Sequence, residues 1–227
     1  MPTMENDIKD RLARVRTRLE AARIRAGRAP GDVRLVAVGK TQPVEAIRAA
    51  LEAGVEIIGE NYIQEAIDKI EILGRPCAWH FIGRLQTNKA KYAARLFDMI
   101  HSVDNLKLAR ELDKKAEAAG RRPAVLVQVN LSGEETKGGT TNEDAARLAE
   151  AVGRLKNLTL SGFMTMPPFF DQPDKARPFF AALRELRDKI GEASWELSMG
   201  MSGDFETAIE EGATLVRVGT AIFGARS

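Results

Sequence analysis

From residue 34 to the end of the chain, short apolar runs rich in β-branched residues alternate with longer runs whose apolar positions recur every three or four residues. The first kind reads as buried strands and the second as helices packed over them. Strands are predicted at 34–40, 56–61, 78–83, 99–103, 124–130, 159–166, 195–199 and 215–218. Helices are predicted at 43–53, 62–73, from about 88, 105–119, 142–155, 174–190 and 203–211, with a Pro- and Phe-rich loop over 167–173. Pro43 suits a first helical turn, and Gly54 and Gly120 stop their helices. Upstream, Ile8, Leu12, Val15 and Leu19 fall at helical spacing before Gly27. They predict a basic-faced amphipathic helix within residues 1–28 that lies on the domain.

Strands alternating with helices pair in parallel through crossovers. Eight units over residues 34–227 average about 24 residues each, with no linker and no shift in composition. The expectation is an α/β fold with one domain, 1–227: a closed (β/α)8 TIM barrel carrying an extra N-terminal helix and no second β-domain. A doubly wound open sheet is the alternative, and the regularity of the units favours closure. Functional residues of such a barrel stand at the C-terminal ends of its strands, and phosphate binds after strands seven and eight.

Composition narrows the partners. The chain has 227 residues, 44% hydrophobic and 29% charged, which excludes disorder and low complexity. Thirty-four basic residues against 32 acidic give a net charge of +2, so no nucleic-acid partner is expected. No apolar run approaches the ~20 residues of a membrane span. Glu5, Asp7, Asp10 and Glu20 argue against a transit peptide. A single cysteine, Cys77, fits a reducing, cytoplasmic setting.

At the predicted strand ends stand Lys40, Asn61, His80, Asn130, Met164, Ser198 to Ser202 and Arg217 to Thr220. Lys40 shares a face with Val36 and Val38. Partial desolvation there would free its amine for Schiff-base chemistry, unless it only reaches water. Ser202 is placed to cap the helix at 203–211, beside a second glycine and hydroxyl at Gly219 and Thr220. Two such loops together make a phosphate cup. Arg217 alternates opposite Val216 and Val218 and so enters the barrel, where a guanidinium is costly unless paired. His101 reads as structural; His80 reads equally as a cofactor contact or as packing. The loop from Asn130 through Lys137 reads as exposed or as a mobile lid bearing a second amine. Metal-ligand spacing and the P-loop, G-x-S-x-G and HExxH patterns are missing from the sequence.

Several stretches carry a resemblance across nearly the whole chain. These are Leu35-Val-Ala-Val-Gly-Lys-Thr41, Gly59-Glu-Asn-Tyr-Ile-Gln-Glu65, Trp79-His-Phe-Ile-Gly83 with Leu85-Gln-Thr-Asn-Lys89, Gln128-Val-Asn130, Ser198-Met-Gly-Met-Ser202 and Val216-Arg-Val-Gly-Thr-Ala-Ile-Phe-Gly224. Together they resemble the YggS/PROSC family of pyridoxal 5′-phosphate (PLP) homeostasis proteins, whose barrel is similar to the N-terminal domain of alanine racemase. The resemblance implies that Lys40 holds PLP as a Schiff base, that Ser202, Gly219 and Thr220 take the phosphate, and that Arg217 faces the pyridine nitrogen. Asn61 and His80 fall on matching motifs near the ring. Gln42 and Arg84 depart from the family pattern, which expects a basic residue and a proline there; neither is a proposed ligand.

A permanent cation beside the ring nitrogen opposes its protonation and makes PLP a poorer electron sink. Racemisation needs acid/base groups on both faces of the substrate carbon. In the racemase one comes from a second domain, for which this barrel leaves no residues. The expectation is therefore a PLP-binding carrier in cellular PLP homeostasis, monomeric, without substantial turnover, with PLP-dependent apoenzymes as recipients. A stand-alone PLP racemase using Tyr62 or His80, and a Schiff-base aldolase acting on a sugar phosphate, are the alternatives.

Overall fold

The computed structural model describes residues 4–134 and 138–224. Eight strands, β1 (Arg34–Val38), β2 (Ile57–Glu60), β3 (Ala78–Phe81), β4 (Met99–Val103), β5 (Ala124–Gln128), β6 (Thr159–Met164), β7 (Glu196–Met201) and β8 (Leu215–Val218), pair in sequence order. All pairings are parallel, and β8 returns to β1 with Val36 opposite Arg217. The barrel is closed, and the open-sheet alternative is excluded. The helices are α1 (Met4–Arg25), α2 (Val44–Glu52), α3 (Ile63–Leu73), α4 (Ala90–Leu96), α5 (Leu106–Ala118), α6 (Asn142–Gly153), α7 (Arg177–Ile190), α8 (Phe205–Glu210) and α9 (Thr220–Phe223).

Alternation along the strands sorts side chains into two cores. Val36, Ile57, Met99, Leu126, Met164 and Leu215 fill the barrel interior. Ile58, Phe81, Ile100, Val125, Phe163, Leu197, Val216 and Val218 face outward under the helices. Caps mark the helix starts that composition allows: Asn105 accepts from Leu108 N at 2.9 Å, and Thr141 from Asp144 N at 3.1 Å.

Helix α1 packs on α2, α8 and α9 through Ile8, Leu12, Val15 and Ala22. Its basic face is engaged within the molecule. Arg16 donates to the carbonyls of Ala53 and Gly54, Arg18 pairs with Glu206, and Arg25 with Glu210. No helix among the described residues is long and apolar enough to cross a membrane.

Three expectations are corrected. Strand β1 ends at Val38, so Lys40 lies in the following turn and not on the strand. The Gly39 amide still donates to the Gly59 carbonyl at 2.9 Å, but the Gly39 carbonyl accepts from Gln42 N and Lys69 Nζ, which ends the ladder. Strand β7 extends through a register shift to Met201, and the helix after it shortens to 205–210. The segment after β8, expected as a loop, contains the four-residue helix α9.

Candidate functional site

The lower interior of the barrel is apolar and the upper interior, toward the strand C-termini, is polar. His80, His101, Ser198 and Arg217 all point inward there, and all are buried. They form one chain. Arg217 Nη1 donates to Ser198 Oγ at 2.7 Å, and its Nη2 donates to the Thr165 carbonyl at 3.0 Å. Ser198 Oγ lies 2.8 Å from His101 Nδ1, and His101 Nε2 lies 3.0 Å from His80 Nδ1. Each neutral imidazole brings one N–H, so the hydrogen bonds run in a single direction along the chain.

Burial makes both imidazoles neutral. It pulls His80 down to about 4, and it holds His101 well below its ordinary value, aided by His80 and Arg217. Burial also lowers Arg217 to about 10, opposed by the Asp204 charge. The guanidinium therefore remains a cation at neutral pH, with neutral hydrogen-bond partners. His101 is thus a hydrogen-bonded member of this polar layer. Its signal in the sequence was its place on an inward position of β4.

Ser202 does not cap α8, the role expected of it. Asp204 stands at the N-cap of α8, and its Oδ1 accepts from Met201 N at 2.6 Å. Ser202 Oγ instead faces the β8–α9 turn, accepting from Gly219 N at 3.3 Å and Ala221 N at 3.4 Å. The two loops after β7 and β8 are therefore joined, with a hydroxyl and two amides at one place and the exposed Thr220 beside them. These long contacts are weak, and an anionic oxygen would be a better acceptor for the same amides.

Asn61 follows β2, with its Oδ1 buried and lacking a hydrogen-bond partner among the described residues. Its main chain runs against Gly83, where a Cβ would sit 2.2 Å from the Asn61 carbonyl oxygen. That contact explains the glycine in Trp79-His-Phe-Ile-Gly83. Asn61 also lines a cavity of about 1010 Å³ on the β2–β4 side of the mouth, with Tyr62, Arg84, Gln86, Lys89 and Asp104. Neither Arg217 nor Ser202 lines this cavity. Tyr62 is 54% exposed there, whereas His80 is 4% exposed and engaged with His101. The loop at Asn130 is built by its own side chain, which accepts from Ser132 and Gly133. Lys137 lies outside the described residues.

The donor set fits PLP. Lys40, half-buried in the turn after β1, would supply an amine, the Ser202–Gly219–Thr220 corner would take a phosphate, and Arg217 would face a ring nitrogen. The orphaned Asn61 Oδ1 would accept a donor at the ring edge. When bound, PLP supplies an aldehyde that condenses with amines.

Residues 11–227 match the family described as alanine racemase, N-terminal domain. A pyridoxal phosphate homeostasis protein of Aquifex aeolicus is 46% identical over 222 residues, covering 96% of this chain and 97% of that one. The chain belongs to this family. The Escherichia coli K12 pyridoxal phosphate homeostasis protein is 42% identical over 229 residues, covering 97% of each chain. Among solved structures, PipY of Synechococcus elongatus with PLP bound is 37% identical, with a TM-score of 0.83 over 96% of this chain and 100% of that one. An alanine racemase of Clostridium difficile, 15% identical with a TM-score of 0.73, shares the fold alone; this chain covers 57% of its length.

Proposed function

We propose that this protein binds PLP as a Schiff base on Lys40 and serves intracellular PLP homeostasis as a carrier, without substantial turnover of its own. The observation that carries the reading is the buried guanidinium of Arg217, held by Ser198 and the Thr165 carbonyl in a layer whose imidazoles are neutral. Two neighbouring acceptors fix it, so it presents a cation that cannot give up its proton to a ring nitrogen. PLP held that way keeps its aldehyde chemistry while its capacity to stabilise a carbanion is reduced. The names of the relatives point the same way.

Within the reading, Ser202, Gly219 and Thr220 hold the phosphate, and Asn61 and His80 border the ring. Lys40 supplies the reacting amine. The partners are PLP and PLP-dependent apoenzymes that accept it. In this reading the protein acts in the cytoplasm as a monomer with one domain over residues 1–227, and the closed barrel supports the single domain.

The test is the visible spectrum of the purified protein with PLP, before and after borohydride, alongside Lys40→Ala. The expected result is an absorption band that borohydride abolishes, with the cofactor left attached to Lys40, and no such attachment in the variant. Absence of any band after PLP is added would overturn the reading and leave the sugar-phosphate aldolase. Racemisation of an amino acid at ordinary enzyme rates would overturn the non-catalytic part.

A further inference from the structure

The turn that carries Lys40 is gripped from behind the sheet. Lys69 Nζ, from α3, donates to the Gly39 carbonyl at 2.6 Å. Glu65 Oε2, from the same helix, accepts from Thr41 N at 2.7 Å. The peptide groups before and after Lys40 are therefore both held by charged side chains. Lys69 is fixed in turn by Glu60 Oε1 at 2.8 Å and Glu65 Oε2 at 3.3 Å.

This arrangement is expensive. Glu60 is fully buried and Lys69 is 4% exposed. Burial pushes Glu60 up to about 7, against the lowering effect of Lys69. Apolar residues of similar volume would pack between β2 and α3 at less cost. The local backbone is also demanding. Thr41 has φ +60°, the one non-glycine residue with positive φ among the described residues. A Cβ at Gly39 would lie 2.7 Å from Ile47 Cδ1 and 2.8 Å from Glu60 Oε1. Three charges and a strained turn thus converge on one residue, and nothing in the phosphate corner or the Arg217 chain uses them.

We propose that Glu60, Lys69 and Glu65 are positioning residues, a clamp that sets the backbone of Lys40 and so the placement of its amine. The inference rests on the PLP reading and deepens it by giving Gly59-Glu-Asn-Tyr-Ile-Gln-Glu65 a second role beside Asn61. Charge-assisted bonds of this length are the stronger kind. Bond formation between an amine and an aldehyde is sensitive to misplacement of about 1 Å.

The test separates condensation from binding. Full-length wild type, Glu65→Ala and Glu65→Gln are mixed with PLP, and growth of the visible band is followed. Affinity for pyridoxine 5′-phosphate, which has no aldehyde, is measured by dialysis in parallel. Glu65 is only half-buried, so these variants are expected to fold; thermal melts check that. Glu65→Ala is expected to form the band about fivefold more slowly, from loss of one hydrogen bond, with unchanged pyridoxine 5′-phosphate affinity. Glu65→Gln keeps an oxygen to accept from Thr41 N and is expected to recover most of the rate. Band growth equal to wild type in Glu65→Ala, or an equal loss of pyridoxine 5′-phosphate affinity, overturns the clamp. A Glu65→Gln protein as slow as Glu65→Ala also overturns it. A wild type that forms no band at all overturns the PLP reading instead.

Discussion

Arg217 and Ser198 meet at 2.7 Å inside the barrel, and that contact joins the end of β8 to two histidines on β3 and β4. The serine hydroxyl is a small group in a demanding place, because it serves a cation on one side and an imidazole on the other. Ser198→Ala leaves Arg217 Nη1 and His101 Nδ1 without a partner in a buried site. The expected cost is about 1–3 kcal/mol of stability, measured by urea unfolding. PLP affinity should fall as well, measured by dialysis, because the guanidinium loses one of its two anchors.

The same chain predicts a pH dependence. His80 and His101 are neutral in the folded barrel because burial disfavours their charged forms. The unfolded chain takes up a proton at each near pH ~6.5. Their contribution to stability is therefore complete above that pH and is lost as pH falls toward about 4, where His80 itself protonates when folded. Each histidine adds a slope of up to ~1.4 kcal/mol per pH unit in that window. Urea unfolding from pH 7 to 5 should show His101→Gln with a shallower slope than wild type. An identical slope would show that His101 is not buried in neutral form.

Ser202 bridges the loops after β7 and β8, which we propose take the phosphate, and its hydroxyl accepts from both Gly219 N and Ala221 N. Ser202→Ala should weaken PLP binding by roughly tenfold, as expected for a hydrogen bond to a charged group. Binding of pyridoxal, which lacks the phosphate, should change much less. Competition dialysis with the two vitamers reads the difference directly.

Helix α1 is anchored by side chains rather than by its position in the chain. Leu12 is 1% exposed, and it fills space where α1 meets the barrel helices. Leu12→Ala should cost about 2–5 kcal/mol, seen as a lower urea midpoint. Replacing the exposed Arg14 with Ala should leave that midpoint nearly unchanged.

The order of elements, the closed parallel barrel and the inward turn of Arg217 were legible in the sequence. Each follows from periodicity, which is a property of a few consecutive residues: valines at 216 and 218 demand one face and leave the other to Arg217. The nearness of Ser202 to Gly219 followed in the same way from barrel order, since loops after adjacent strands are neighbours. Periodicity could not say which polar atoms meet. Ser202 looked like a helix cap because capping is a local pattern, and the fold gave its hydroxyl to amides 17 and 19 residues away. His101 read as structural, but its partner Ser198, 97 residues on and 2.8 Å away, was set only by closure. Glu60 and Glu65 passed as ordinary members of a motif until α3 folded back and set Lys69 on the carbonyl of Gly39, 30 residues earlier. Hydrogen bonds act over about 3 Å, so partners this far apart in the chain are chosen only when the barrel closes.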